Sequence, residues 1–282
     1  MTYKKLTQYI LITTFLFLFS CDQEKEIDYK LYYPGDKIVI HGYLSEAGIE
    51  LYVNKTLPPT AIHESNRLDK VSVALFENNE FLLYLTNIKD DLYKTPKNFT
   101  PQKNKSYYIE VEADNLPRVK TKEQYLLTAI KIDTSYYQKS GESEYNLITS
   151  FIDPFEELNY YSDKFYQYAG GENIDSLTYS EFINPYTVFG DNNFNGEEKK
   201  INNEFYKNSF SDNTPLDSIQ VVLYSISEDT YLHLSSIKDY EISRGDPWFE
   251  QPAVIYSNIL NGYGIFGSFA TDTVTVVINI PK

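Results

Sequence analysis

The chain has 282 residues, of which 25 are basic and 40 acidic, giving a formal net charge of −15. That charge repels nucleic acid and anionic lipid and excludes both as partners. A single cysteine excludes disulfides within the chain, so a packed core must supply the stability.

Lys4 and Lys5 precede an apolar run from Tyr9 to Phe19, about half of what a bilayer-spanning helix needs. Leu18-Phe19-Ser20-Cys21 then places a small residue before the lone cysteine. An uncleaved helix or a plain secretory signal is the alternative, but the length and flanks of the run favour a lipoprotein signal. Residues 1–20 are therefore expected to be a signal peptide, with Cys21 as the lipidated residue. Asp22-Gln23-Glu24-Lys25-Glu26 opens an acidic tether over residues 21–35.

Lys37–Leu44 alternates apolar residues at period two, as strands do, and Val71–Phe76, Phe81–Leu85 and Tyr107–Val111 are further predicted strands. Glu77–Glu80 reads as a hairpin turn. These short strands predict an immunoglobulin-like β-sandwich over residues 36–120. A second β-rich domain is expected over residues 121–282, with strands at Ala129–Asp133, Leu147–Ile152, Ile219–Ser225 and Thr271–Ile280. The stretch from Asp153 to Phe210, rich in Asn, Asp, Gly, Ser and Tyr, reads as loops and irregular strands. One helix is predicted over residues 228–240. Ser227 is its N-cap, Glu228 and Asp229 put acid in its first turn, and Tyr231, Leu234 and Ile237 share a face. The expected fold class is all-β with that single helix. Aromatics at 16%, including 27 tyrosines, fit half-buried strands in preference to the alternative of a sugar- or peptide-binding face.

Signatures of catalysis are weak. The three histidines, His41, His63 and His233, have no evident acid or nucleophile beside them, and G-x-S-x-G does not occur. His63-Glu64-Ser65-Asn66-Arg67 begins like H-E-x-x-H, but Arg67 stands where the second ligand belongs. The acidic pairs Asp90-Asp91, Glu156-Glu157 and Glu197-Glu198 read as solvated charge. Asp191-Asn192-Asn193-Phe194-Asn195-Gly196 matches the start of a calcium loop, with Asp191, Asn193 and Asn195 as ligands, but Asn202 occupies the closing glutamate's position. No cofactor is expected. The segment Gly245–Phe269 combines Trp248, Phe249, Tyr263 and Phe266 with closely spaced glycines. It reads as a ligand lip or, preferably, as a latch packed into the second domain through Phe266 and Phe269, near the helix, with Trp248 at its rim.

Together these residues resemble the Bacteroidota outer-membrane lipoprotein family known as domain of unknown function 4249. The resemblance runs from the Cys21 lipobox through Ile38–Leu44, Val71–Leu75, Phe99–Val111, Asp153 with Asn159-Tyr160-Tyr161, and Asp191–Gly196. It is strongest over Asp246–Pro252, Ser257-Asn258-Ile259, Asn261-Gly262 and Gly264-Ile265-Phe266-Gly267. It departs at Asp91-Leu92-Tyr93, where Gly-Tyr is commoner. The resemblance assigns no catalytic residues. It implies a lipid-anchored outer-membrane protein, on the cell surface or the periplasmic face, that accompanies a TonB-dependent receptor. The expected function is non-enzymatic binding or accessory work in transport; the alternative is a hydrolase of envelope glycans or imported polymers.

Overall fold

A computed structural model describes residues 33–61, 65–155, 157–173, 183–206, 214–243 and 253–279. Two units divide the chain, Met1–Pro34 and Gly35–Lys282, and every element below belongs to the second. Among the described residues the fold is all-β with one α-helix, in line with the expected class.

The first lobe is a sandwich. One sheet holds β1 (Ile38–Ser45), β2 (Gly48–Lys55), β5 (Thr86–Lys89) and β6 (Leu92–Lys94) in the order β5-β6-β2-β1. The other holds β3 (Ser72–Glu77), β4 (Glu80–Tyr84), β7 (Ser106–Glu112) and β8 (Val119–Thr121), with β9 (Gln124–Tyr125) beside β7. Ile38, Ile40, Leu51 and Val53 from the first sheet meet Val73, Leu75, Ile109 and Val111 from the second in one core. Burying such side chains removes apolar surface from water, at roughly 1.5–3 kcal/mol each.

The second lobe pairs β12 (Tyr160–Ala169), β13 (Glu172–Asn173), β14 (Val188–Gly190) and β16 (Ser218–Ile226). Against them lies a sheet of β10 (Ile132–Lys139), β11 (Glu144–Ile152) and β15 (Glu198–Tyr206). β16 is buried on both faces, which explains its near-continuous apolar run. Ile219 and Val221 pack with Leu147 and Phe205, whereas Val222, Tyr224 and Ile226 pack beneath Leu234 of helix α1 (Glu228–Ser243). Ser227 caps that helix: its Oγ accepts from the Thr230 N–H at 3.4 Å.

The chain does not divide at residue 120. β17 (Ile259–Leu260) joins the first lobe beside β8. β18 (Tyr263–Val277) then belongs to both lobes. Its first half runs parallel to β1, from Val39↔Tyr263 to Leu44↔Ser268. Its second half runs antiparallel to β16, from Ile226↔Phe269 to Ser218↔Val277. One nine-stranded sheet results, in the order β13-β12-β16-β18-β1-β2-β6-β5 with β14 beside β12. The expected sandwich is thus completed by the C-terminal segment. The stretch after Asp153, expected to be irregular, contains the regular strands β12 and β15. Their polar residues hid the pattern because they are satisfied across strands: Asn203 donates to the buried Asp163 at 2.6 Å.

Candidate functional site: a cleft at the lobe junction

Where the lobes meet, a cleft of about 700 Å³ opens. Its base comes from the ends of two strands, Tyr160 of β12 and Ser225-Ile226 of β16, and from the helix start Ser227-Glu228. Its walls are loops: Asn104 before β7, the connector Leu126-Leu127-Thr128 with Ile130, and Pro154 with Glu157–Asn159. The apolar components are Leu126, Leu127, Ile130, Leu158, Tyr160 and Ile226, and Leu158 is 62% exposed. Neutral polar groups alternate with them, and among the described residues the charges in the lining are Glu157 and Glu228. A mixed apolar and neutral-polar lining with two carboxylates suits an uncharged or cationic amphiphile rather than an anion.

The lining is held in place. The Tyr160 ring stacks on Tyr231 of α1 at 4.6 Å. Burial, then the nearby Glu228, raises the Tyr160 hydroxyl above its ordinary pKa. Ser225 Oγ accepts from the Ile130 N–H at 3.1 Å, fixing the connector. The Asn159 N–H donates to Asp191 Oδ2 at 2.8 Å, and its side chain donates to the Glu157 carbonyl at 2.9 Å.

Two buried clusters flank the cleft. Asp229, only 4% exposed, accepts from Lys122 Nζ at 2.9 Å, Gln124 Nε2 at 2.7 Å and the Tyr256 hydroxyl at 2.5 Å. Burial alone would raise its pKa, but the bonds from Tyr256, Lys122 and Gln124 hold it below the usual carboxylate value. Next to it, the His233 ring lies 5.8 Å from that of His41, and His233 Nδ1 lies 2.6 Å from the Tyr256 carbonyl oxygen. Burial first, then the charge of His233, lowers the His41 pKa to about 4. Among the described residues, His233 Nδ1 faces a carbonyl rather than a carboxylate. His41 and His233, far apart in sequence, are neighbours, a contact that no local signal announces.

The residues singled out from the sequence are scattered. Cys21, Trp248, Phe249 and His63 lie outside the described residues. Tyr263 is 48% exposed at the start of β18, whereas Phe266 is fully buried. Phe266 packs in the first lobe's core, not in the second domain, while Phe269 does reach the helix cluster with Leu234. Asn258 explains the S-N-I element: its side chain donates to the Phe266 carbonyl at 2.8 Å and accepts from the Phe266 N–H at 3.0 Å. In the calcium-like loop, Asp191 is buried and anchors Asn159, while Asn193 and Asn195 are exposed. Phe194 tucks into the core beneath. Among the described residues no group of three or more His, Cys, Asp or Glu side chains is placed to hold a metal ion. Through Asp191 the loop is tied to Asn159 in the β11–β12 connection.

Fold and cleft together define a two-lobed, all-β protein whose lobes share one sheet and leave a loop-walled cleft between them. The chain matches the family described as Domain of unknown function (DUF4249) over residues 24–275, and it belongs to that family. No curated protein matches it.

Proposed function

We propose that this is a lipid-anchored cell-envelope binding protein, attached to the outer membrane through Cys21, that serves a TonB-dependent receptor as a non-enzymatic accessory. The cleft carries this reading. It has the size and the mixed lining of a ligand site, and its residues are fixed by stacking and hydrogen bonds rather than poised around a reacting atom. The lipobox at Leu18–Cys21 supports the anchoring, and the strongly acidic chain favours tethering by lipid over electrostatic attachment.

The test is purification of the full chain from native outer membranes, wild type beside Cys21→Ala and Leu127→Asp. Wild type is expected to sediment with the outer membrane and to bring a TonB-dependent receptor with it. Cys21→Ala should appear in the soluble fraction. Leu127→Asp should stay membrane-bound and lose any small ligand that native mass spectrometry finds on wild type. Turnover of an envelope glycan by the purified protein, or membrane attachment that survives Cys21→Ala without a receptor, refutes the reading.

A further inference from the structure

The outer face of the β4-β3-β7 sheet carries a shallow trough. Along β3, Val73 and Leu75 turn inward to the core, so Ser72, Ala74 and Phe76 face outward. Ser72 and Ala74 are small, and they form the floor of a trough of about 110 Å³. None of the residues lining it also lines the cleft.

One wall of the trough is aromatic. Phe81 and Tyr84 stand on β4 with ring centres 4.9 Å apart and planes tilted by 55°. They are 52% and 61% exposed. Phe76 supports Phe81 edge-on at 5.9 Å and stacks flat against Tyr108 at 4.8 Å. Lys120 Nζ sits 3.8 Å from the centre of the Tyr108 ring. Phe76 and Lys120 leave Tyr108 no open face, so Tyr108 is a buttress. The ring faces open to solvent are those of Phe81 and Tyr84.

On the far side of β3, the other wall is charged. Arg118 donates from Nη1 to Glu110 at 3.3 Å and pairs through Nη2 with Glu112. Glu112 and Arg118 remain more than half exposed there. Their unused lone pairs and N–H groups face a ligand across a floor without bulky side chains.

This pairing of walls selects a chemistry. A pyranose ring carries an apolar C–H face that stacks on aromatic rings, and hydroxyls at its edge that pair with carboxylates and guanidinium. A wholly apolar partner would strip water from the Arg118 cluster without replacing its hydrogen bonds. An anionic ligand meets two carboxylates for one arginine, and a protein of net charge −15. An extended peptide would pair along the edge of β4 and leave the floor unused. We propose that this face is a carbohydrate-binding platform. It stacks one ring of a neutral oligo- or polysaccharide on Phe81 and Tyr84 and hydrogen-bonds its hydroxyls to Glu110, Glu112 and Arg118.

Affinity gel electrophoresis of the full chain tests this. The gels contain soluble neutral polysaccharides in turn: a mixed-linkage β-glucan, a xylan, a galactomannan and an α-glucan. Tetramethylammonium serves as the cation probe in parallel calorimetry. At least one polysaccharide should retard the wild-type chain. Phe81→Ala, Tyr84→Ala and Arg118→Ala should each weaken that retention about tenfold, equivalent to ~1.4 kcal/mol. Tyr84→Phe, which keeps the ring, should retain most of it. Phe81 and Tyr84 are exposed, so their variants should melt with the wild type, and Leu127→Asp in the cleft should bind glycan normally. Passage of wild type unretarded through every gel overturns the proposal. So does retention that survives the Phe81→Ala/Tyr84→Ala double variant, or tetramethylammonium binding in place of glycan binding.

Discussion

Gly264→Ala probes the seam that makes the two lobes one body. Gly264 lies on β18 opposite Ile40 of β1 and has φ +104°. An L-residue there carries a backbone strain of about 1–2 kcal/mol. A Cβ would also overlap the Ile40 carbonyl oxygen. That oxygen cannot retreat, because β1 is held on its other edge by the β2 ladder, with Ile40 opposite Val53. The strands must part instead, sacrificing one or two ladder bonds at about 1 kcal/mol each and loosening the packing of the adjoining Phe266. The total is about 4 kcal/mol. Gly171→Ala is the control, since Gly171 has φ +80° but open space around its missing Cβ. It isolates the conformational cost, about 1 kcal/mol. Urea unfolding of the two variants, followed by circular dichroism, gives the comparison. If Gly264→Ala shifts the midpoint no further than Gly171→Ala, the β1–β18 contact is not close-packed and the seam argument fails.

Phe266→Ala should destabilise by about 3–5 kcal/mol in the same assay, as truncation of a fully buried Phe does; a loss under about 1 kcal/mol would show that Phe266 is not part of the first lobe's core. Asp229→Ala strands the buried Gln124 amide and the Tyr256 hydroxyl, and should cost about 3 kcal/mol or more by thermal unfolding; equal losses in Asp229→Ala and an exposed control such as Asp239→Ala would refute the hub. For pH, His41 titrates near 6.5 when unfolded and at about 4 when folded. The folded form therefore favours the neutral ring, and stability is full above about pH 6.5 and lost as pH falls toward 4, by about 3 kcal/mol in all. His233, also lowered by burial, adds in the same direction. His41→Gln should flatten that slope, and an unchanged slope would show that His41 does not set it.

The strands legible from sequence were those whose burial is one-sided or continuous. β3 alternates as a half-buried sheet must, and the apolar run of β16 reflects helix α1 on one face and a second sheet on the other. The helix was legible because Ser227 caps it and the chain puts acid in its first turn. Strands β12 and β15 were obscured because Asp163 and Asn203 satisfy each other across 40 residues of chain. Residues Tyr263–Ser268 read as part of a latch into the second domain. They form a strand because glycine lets β18 lie against β1, in a parallel pairing more than 200 residues apart in sequence. Adjacency along the chain suggested a domain boundary near residue 120 that the returning C-terminal segment crosses.

The two sites differ in legibility for the same reason. The trough draws on residues 72–118, and its floor follows from the alternation along β3, but Phe81 and Tyr84, three residues apart on β4, share a face only through a register shift between β3 and β4 that no spacing announces. The cleft is assembled from segments near residues 104, 126–130, 154–160 and 225–228, and no spacing within one of them implies the others. Its base is fixed by the shared sheet, through Tyr160, Ser225 and Ile226, while its walls are loops. A change of loop residue at Leu127 or Leu158 can alter what the cleft accepts without disturbing a strand. A change at Gly264 or Phe266 acts on the frame that both lobes share. On the proposed reading, selectivity in the cleft rests on residues that carry little of the stability, and the elements that carry the stability contribute only its floor.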